Sequence, residues 1–289
     1  MALSKAPAAN IVKIMIAAKL LGRLRAGFAN DRPPAQRLPD PVCYVDPASL
    51  LAPSALLRLG TEYGGWTIPA DHGLGPDSVC YMAGAGEDIS FDCEIARRFG
   101  SRVTVLDPTP RAIAHFEQLC RAVQAGQAFP INGSDTAFYT IGPADLARMR
   151  FLPFGLFDAD LEQKFYLPRN PAHVSCSTAN LQGTEDYFTA QCHTLRSIMN
   201  GQADARVDLV KMDIEGAEYA VIGDLVTSGP LPRLLLVEFD EIHSPQDADA
   251  PARIKRHIDM LAGAGMRCFS IDGCNFSFMR AAPPTPVHA

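Results

Sequence analysis

From residue 78 onward the chain alternates short unbroken apolar runs with stretches whose apolar residues recur three or four apart. The runs SVCYM (78–82), RVTVL (102–106), VDLVKM (207–212) and RLLLVEF (233–239) read as buried strands. A strand covered on both faces has no polar side to show. Between them lie helical patterns. Phe91, Ile95 and Phe99 share one face, and Gly100 closes that helix, as glycine commonly does at a C-terminus. The next helix has Thr109 as N-cap and Pro110 at its first position, with Ile113, Phe116, Cys120 and Val123 expected inward and Gly126 at its end. Leu195, Ile198 and Met199 mark a third helix, Ala217, Ala220, Val221 and Leu225 a fourth, and Ile254, Ile258 and Leu261, begun by Pro251, a fifth. Residues 149–168 read as a strand that turns back on itself around DADLE, and residues 266–279 as a hairpin.

Strand–helix alternation of this kind predicts right-handed crossovers, a mostly parallel sheet and helices on both faces, with the terminal hairpin adding an antiparallel strand. The fold class is α/β, doubly wound. Upstream, NIVKIMIAAKLLGRLRAGFA (10–29) carries Lys13, Lys19, Arg23 and Arg25 and no acid. Three readings of it stand: a helix packed on the body, an interfacial helix on anionic lipid, or a partner-binding helix. Packing on the body is preferred over membrane association. NDRPPAQRLPDP (30–41) has four prolines and no periodicity and reads as a linker. The expected organisation is therefore a basic N-terminal part, 1–45, and one catalytic domain, 46–289.

Composition narrows the function classes. The 289 residues carry a formal charge of −6, which argues against the basic face of a nucleic-acid binder. Apolar residues make up 47% of the chain, but no run of 18 exists to span a membrane. The eight cysteines show neither CxxC nor zinc spacing, so a reducing, cytoplasmic setting is expected.

The chemistry starts in AGAGEDI (83–89), where Gly84 and Gly86 follow a strand. A dinucleotide-binding turn would hold a third glycine where this chain has Ile89. Glu87 and Asp88 would repel a pyrophosphate, which disfavours a nicotinamide dehydrogenase. They suit a ligand with ribose and adenine, no phosphates and positive charge, as S-adenosylmethionine is. Asp88 also reads as a helix N-cap. Asp107 ends the second strand, 23 positions after Gly84, where a carboxylate can accept both ribose hydroxyls; a turn-forming role in DPTP is its alternative.

With AGAGEDISFD, VTVLDPTPRA, FGLFDADLEQKFYLPRNPAHVSCS and VDLVKMDIEGAEYAVIGDL in view, the chain resembles the FkbM family of S-adenosylmethionine-dependent methyltransferases over about residues 60–280. The resemblance implies a class I methyltransferase fold, Rossmann-like, with a seven-stranded sheet. It also implies cofactor binding by Gly84, Gly86 and Asp88 in the first motif and by Asp107 in the second, with Phe157 and Asp158 near the adenine. O-methylation of a sugar or natural-product hydroxyl is the implied activity, with a small molecule or glycan as acceptor. The N-terminal helix and linker lie outside the common family pattern.

Methyl transfer to an alcohol needs positioning and a destination for the hydroxyl proton. Asp213 follows the run VDLVKM and Glu238 stands near the end of RLLLVEF. As neighbours they could act as base and orienter, or hold a divalent cation. Glu215 and Glu218 fall in the first turns of the next helix, where the helix N-terminus suits them equally well. His173 and His243 lie on loops, where site residues concentrate but surface histidines are commoner. Trp66 either lids the site or packs on the body, and Lys211, inside a central strand, is expected to pair with an acid. The rival reading of the whole chain is a methyltransferase-like module that binds a cofactor or partner without turnover.

Overall fold

The computed structural model describes residues 38–168, 176–178 and 184–280. The expected N-terminal helix and His173 lie outside the described residues. In chain order, β1 (Leu56–Leu59) and β2 (Trp66–Pro69) form an antiparallel hairpin that the sequence patterns did not signal. Then come β3 (Val79–Ala83), α1 (Ser90–Phe99), β4 (Arg102–Leu106), α2 (Pro110–Gln124), α3 (Pro143–Leu146) and β5 (Met149–Leu152). They are followed by β6 (Gly155–Leu156), β7 (Leu161–Tyr166), β8 (Tyr187–His193) and α4 (Leu195–Gly201). The chain continues through β9 (Leu209–Met212), α5 (Glu218–Thr227), β10 (Leu234–Glu238), α6 (Ala250–Gly263), β11 (Met266–Asp272) and β12 (Asn275–Arg280).

The main sheet has seven strands in the order β11-β12-β10-β9-β3-β4-β5. The run from β10 to β5 is parallel, and β12 enters antiparallel between β10 and β11. This is a doubly wound, Rossmann-like α/β architecture. Side chains alternate between two apolar layers, as the strand period of two demands. Val79, Tyr81, Val210, Met212, Leu235 and Val237 join α4, α5 and α6 in one layer. Cys80, Met82, Leu209, Leu234 and Leu236 join α1, α2 and the β1–β2 hairpin in the other. Leu38, Tyr44 and Val45 pack on the first of these layers.

Three expectations change. Residues 149–168 do not fold back on themselves: Pro153, which has no N–H to donate, ends β5. Beyond it β6 and β7 both pair with β8, an unanticipated strand that sits between them in a separate three-stranded sheet. Gly155 allows this, because a side chain there would fall on Cys192 Sγ. Second, the buried row of α2 is Ala112, His115, Leu119 and Val123, leaving Ile113, Phe116 and Cys120 half-buried. Hydrophobic spacing passes over His115, which is buried because its Nε2 meets the Tyr139 hydroxyl at 2.8 Å. Third, α5 begins at Glu218, so Glu215 belongs to the turn before it and has φ +52°.

Chain order reverses between β3 and β9, since β3 leads outward to β4 and β5 while β9 leads the other way to β10. Ligands of open parallel sheets bind at the carboxyl ends of the strands beside such a switch point. Here those ends present Gly84, Asp107, Asp213 and Glu238.

Candidate active site

Gly84 is the closest point of the switch. It has φ +83°, and an added Cβ would coincide with the carbonyl oxygen of Asp213. Only a residue without a side chain lets β3 and β9 converge this tightly. Asp107, buried at the end of β4, holds the turn that follows. Its Oδ2 accepts the N–H of Ala85 at 2.9 Å and of Gly86 at 3.1 Å, and its Oδ1 accepts Thr109 N–H at 2.8 Å. A carboxylate offers about four lone-pair sites, so roughly one remains to face a ligand.

The two acids of the turn have partners of their own. The Arg111 guanidinium grips Glu87 with Nη2 at 2.7 Å and Nε at 3.2 Å, a forked ion pair at the rim. Asp88 is buried and points to the loop after β1. Its Oδ2 accepts the Thr61 hydroxyl at 2.5 Å and its Oδ1 accepts Ser90 N–H at 3.0 Å. The N-cap of α1 is Ile89, which makes no side-chain cap bond, so Asp88, one residue earlier, is not the expected cap. It fixes the turn into α1 through Ser90 N–H and anchors the Thr61–Gly64 turn through the Thr61 hydroxyl. The charge argument drawn from the sequence thus has a different basis: both carboxylates are committed to the protein, and they shape the turn before they meet any ligand.

At the neighbouring strand ends the acids are less committed. Asp213 and Glu238 follow the paired residues Met212 and Val237 at the adjoining ends of β9 and β10, face the same cavity and act on one another's ionisation. Burial pushes the Glu238 carboxyl up to about 8, reinforced by the negative Asp213, while the Cys274 thiol donates to Glu238 Oε1 at 2.8 Å and opposes the rise. Burial raises Asp213 as well, against the opposing charge of Lys211 and the bond from Glu238. Asp240, just beyond, is pushed up to about 11 by burial and then by the carboxylates of Glu218, Glu215 and Glu238. The arrangement is that of two acids too close to ionise together, which titrate as a pair.

The turn between β9 and α5 is held from below by Glu218, which is 2% exposed. Its carboxylate accepts Ile214 N–H at 3.2 Å and Gly216 N–H at 2.9 and 3.1 Å. Burial nonetheless pushes this carboxyl up to about 7. The expected role of Glu218 at the helix start is thus a clamp on the turn that carries Asp213 and Glu215. Lys211 donates to the Gly84 carbonyl at 2.7 Å, so the direct acid partner expected for it is replaced by a backbone oxygen.

The glycine turn and the acids Asp107, Asp213 and Glu238 line one cavity of about 440 Å³, at the low end of the ~300–1,000 Å³ usual for small-molecule sites. Gly84, Gly86, Glu87, Asp88, Asp107, Asp213, Glu238 and His243 all face it. Phe157 and Asp158 do not. β5 ends at Leu152, so these two sit beyond it, and Leu156 and Phe165 of the separate three-stranded sheet form that wall instead. Trp66 is 2% exposed in β2, so it packs as part of the wall and does not cover the opening. The sequence reading passed over Tyr63, Asn132 and Cys274, which also face the cavity. Tyr63 is 73% exposed at the mouth, on the turn that Asp88 anchors. An unsatisfied aromatic in a Gly-rich turn, YGG, was the one available signal. Asn132 arrives from the loop after α2, its N–H bonded to the Glu87 carbonyl at 3.1 Å.

Among the described residues no group of three His, Cys, Asp or Glu is arranged to hold a metal ion. No helix there is long and apolar enough to cross a membrane, and all eight cysteines are free. The cavity does fit a nucleoside-like cofactor: it has a glycine turn open to close backbone approach, an acid at the second strand end, and apolar Leu156 and Phe165 for a base.

Comparison with known proteins agrees with this geometry. The model of the methyltransferase FkbM domain matches residues 91–268. That span runs from α1 to β11 and includes Asp107, Asp213 and Glu238, whereas the glycine turn lies just ahead of it. No curated protein matches the chain.

Proposed function

Because this chain belongs to the FkbM methyltransferase family, we propose that it transfers a methyl group from S-adenosylmethionine to a hydroxyl of a sugar or natural product. The observation that carries this reading is the placing of Asp213 and Glu238 at adjoining strand ends in the same cavity as the glycine turn. When bound, S-adenosylmethionine supplies a methyl group on a sulfonium, ready for displacement by an oxygen nucleophile.

The protein's residues do the rest by holding and by moving a proton. Gly84 and Gly86 give the cofactor a backbone surface at close range, with Asp107 fixing the turn and offering its remaining lone pair to the ribose. Asp88 and the Glu87–Arg111 pair keep that turn and the Tyr63 loop in place. An acceptor hydroxyl entering past Tyr63 meets the acid pair, and its proton passes to a carboxylate oxygen of Asp213 or Glu238 as the oxygen attacks. His243 stands on the rim and His173 is kept as a candidate for the acceptor side. A divalent cation is not needed for this scheme.

The test has two steps. S-adenosylhomocysteine is expected to raise the melting temperature of the purified protein, and NAD to leave it unchanged. Incubation with S-adenosylmethionine and a panel of hydroxylated acceptors is expected to release S-adenosylhomocysteine. No stabilisation would remove the cofactor assignment. Stabilisation without turnover across the panel would favour a binding module.

A further inference from the structure

Lys211 is 3% exposed in the middle of β9, on the side of the sheet that faces α1. Its neighbours in that layer are apolar: Met82 opposite on β3, Leu236 opposite on β10 and Leu209 two residues before it. An ammonium in such a layer needs compensation. One bond, to the Gly84 carbonyl, is visible. A second buried charge on this side of the sheet comes from α1. Asp92, in its first turn, is 0% exposed, and neither carboxylate oxygen has a hydrogen-bond partner. No part of the proposed proton transfer uses either residue.

We propose that Lys211 and the unpartnered Asp92, two opposite charges buried in one layer beneath the cavity without a direct contact, act as positioning groups: Lys211 pins the glycine turn and its charge, moderated by Asp92, favours ionised Asp213 over ionised Glu238. The geometry supplies both halves. Lys211 binds the carbonyl of Gly84, the residue whose Cα lies against Asp213, so its charge sits directly under the β3–β9 convergence. A positive group there favours the ionised form of Asp213. The charged groups around it are Asp92 from α1, Asp88 from the turn before α1, Asp107 from the end of β4, Asp213 just past its own strand and Glu238 from β10. Burial pushes Asp92 up to about 6, and the largest influence opposing that rise is Lys211. Asp92 therefore moderates Lys211: the more Asp92 is ionised, the less of the lysine's charge acts on Asp213. The inference rests on the reading of Asp213 and Glu238 as the proton acceptor, but the arrangement can be measured without methyl transfer.

The measurement is a pH titration of the full chain, carrying carboxyl-labelled Asp and Glu, followed by carbon NMR. In Lys211→Met, Asp213 is expected to bind its proton about tenfold more tightly than in the wild type. In Asp92→Asn, which keeps shape and removes only the negative charge, the shift is expected in the opposite direction. Asp92→Asn also serves if Lys211→Met fails to fold. If Asp213 titrates as in the wild type in a folded variant of either kind, the pair is a packing feature only and the proposal is overturned. Because no acceptor or cofactor is present, absence of methyl transfer in a separate assay would sink the proposed activity and leave this titration result intact.

Discussion

Gly84 leaves no space for a side chain, since an added methyl group falls on the Asp213 carbonyl oxygen. Gly84→Ala must therefore push β3 and β9 apart at the point where both approach the ligand. A lower melting temperature is expected, with S-adenosylhomocysteine stabilisation lost; retained stabilisation would place the cofactor elsewhere. Asp213 and Glu238 decide the chemistry at the same scale. Asp213→Asn and Glu238→Gln keep shape and remove a proton acceptor, so turnover should fall roughly 10²–10⁴-fold, the usual range for a lost acid–base group. S-adenosylhomocysteine binding should change little. The rate of the wild type should climb further as pH rises through about 8, where Glu238 gives up the proton that burial holds on it and becomes a second acceptor beside Asp213. In Glu238→Gln that limb should be lost, because only Asp213 remains to accept the proton. A rate–pH profile identical to the wild type's would separate the pair from the mechanism. Turnover that survives a chelator would further favour proton transfer over metal assistance.

The β9–α5 turn shows how an element carries a site. Glu215 adopts φ +52° and Gly216 φ +101°, a left-handed pair that strand and helix geometry would not choose unaided. Glu218 makes the turn persist by accepting the N–H groups of Ile214 and Gly216, and Ser177 donates to the Glu215 carbonyl from above. Glu218→Ala would leave two backbone donors without their acceptor in a buried place. A loss of about 2–4 kcal/mol in chemical denaturation is expected. Glu218→Gln, which retains one acceptor oxygen, should lose less. Equal losses in the two variants would mean that shape, and not the bonds to the turn, is what Glu218 provides.

For the whole molecule, the raised carboxyls set the dependence of stability on pH. Asp92, Glu218 and Glu238 are pushed up to about 6, 7 and 8, burial being the first cause in each. Each binds its proton more tightly folded than unfolded. Their contribution is complete below the ordinary carboxyl range and is lost as pH rises through the folded values. The melting temperature should thus fall between about pH 5 and pH 8, and Asp92→Asn should flatten the lower part of that decline. A flat profile in the wild type would show that these acids are ionised in the folded protein. The N-terminal boundary is a second property of this scale. Leu38, Tyr44 and Val45 pack on the layer shared with α6. Removing residues 1–37 is proposed to leave a folded, cofactor-binding protein, whereas removing 1–45 should lower the melting temperature by stripping Tyr44 from the core. An insoluble 1–37 truncation would place that segment in the body itself.

Local pattern determined the strands and helices of the main sheet, because a buried parallel strand must be apolar throughout and an amphipathic helix must repeat every three or four residues. It also determined which residues stand at the strand ends, and so Gly84, Asp107, Asp213 and Glu238 were legible from their positions alone. The second sheet was not. β6 has two residues and β8 alternates without a strong apolar face, so neither is recognisable until the other is beside it. The partners of the acids were equally hidden. Glu87 with Arg111, Asp88 with Thr61, and Lys211 with Gly84 are separated by 24, 27 and 127 residues. Which charge is satisfied and which is free for chemistry is decided by contacts across the fold, since the same carboxylate accepts a backbone N–H, an arginine or a substrate proton according to what tertiary structure brings within 3 Å of it.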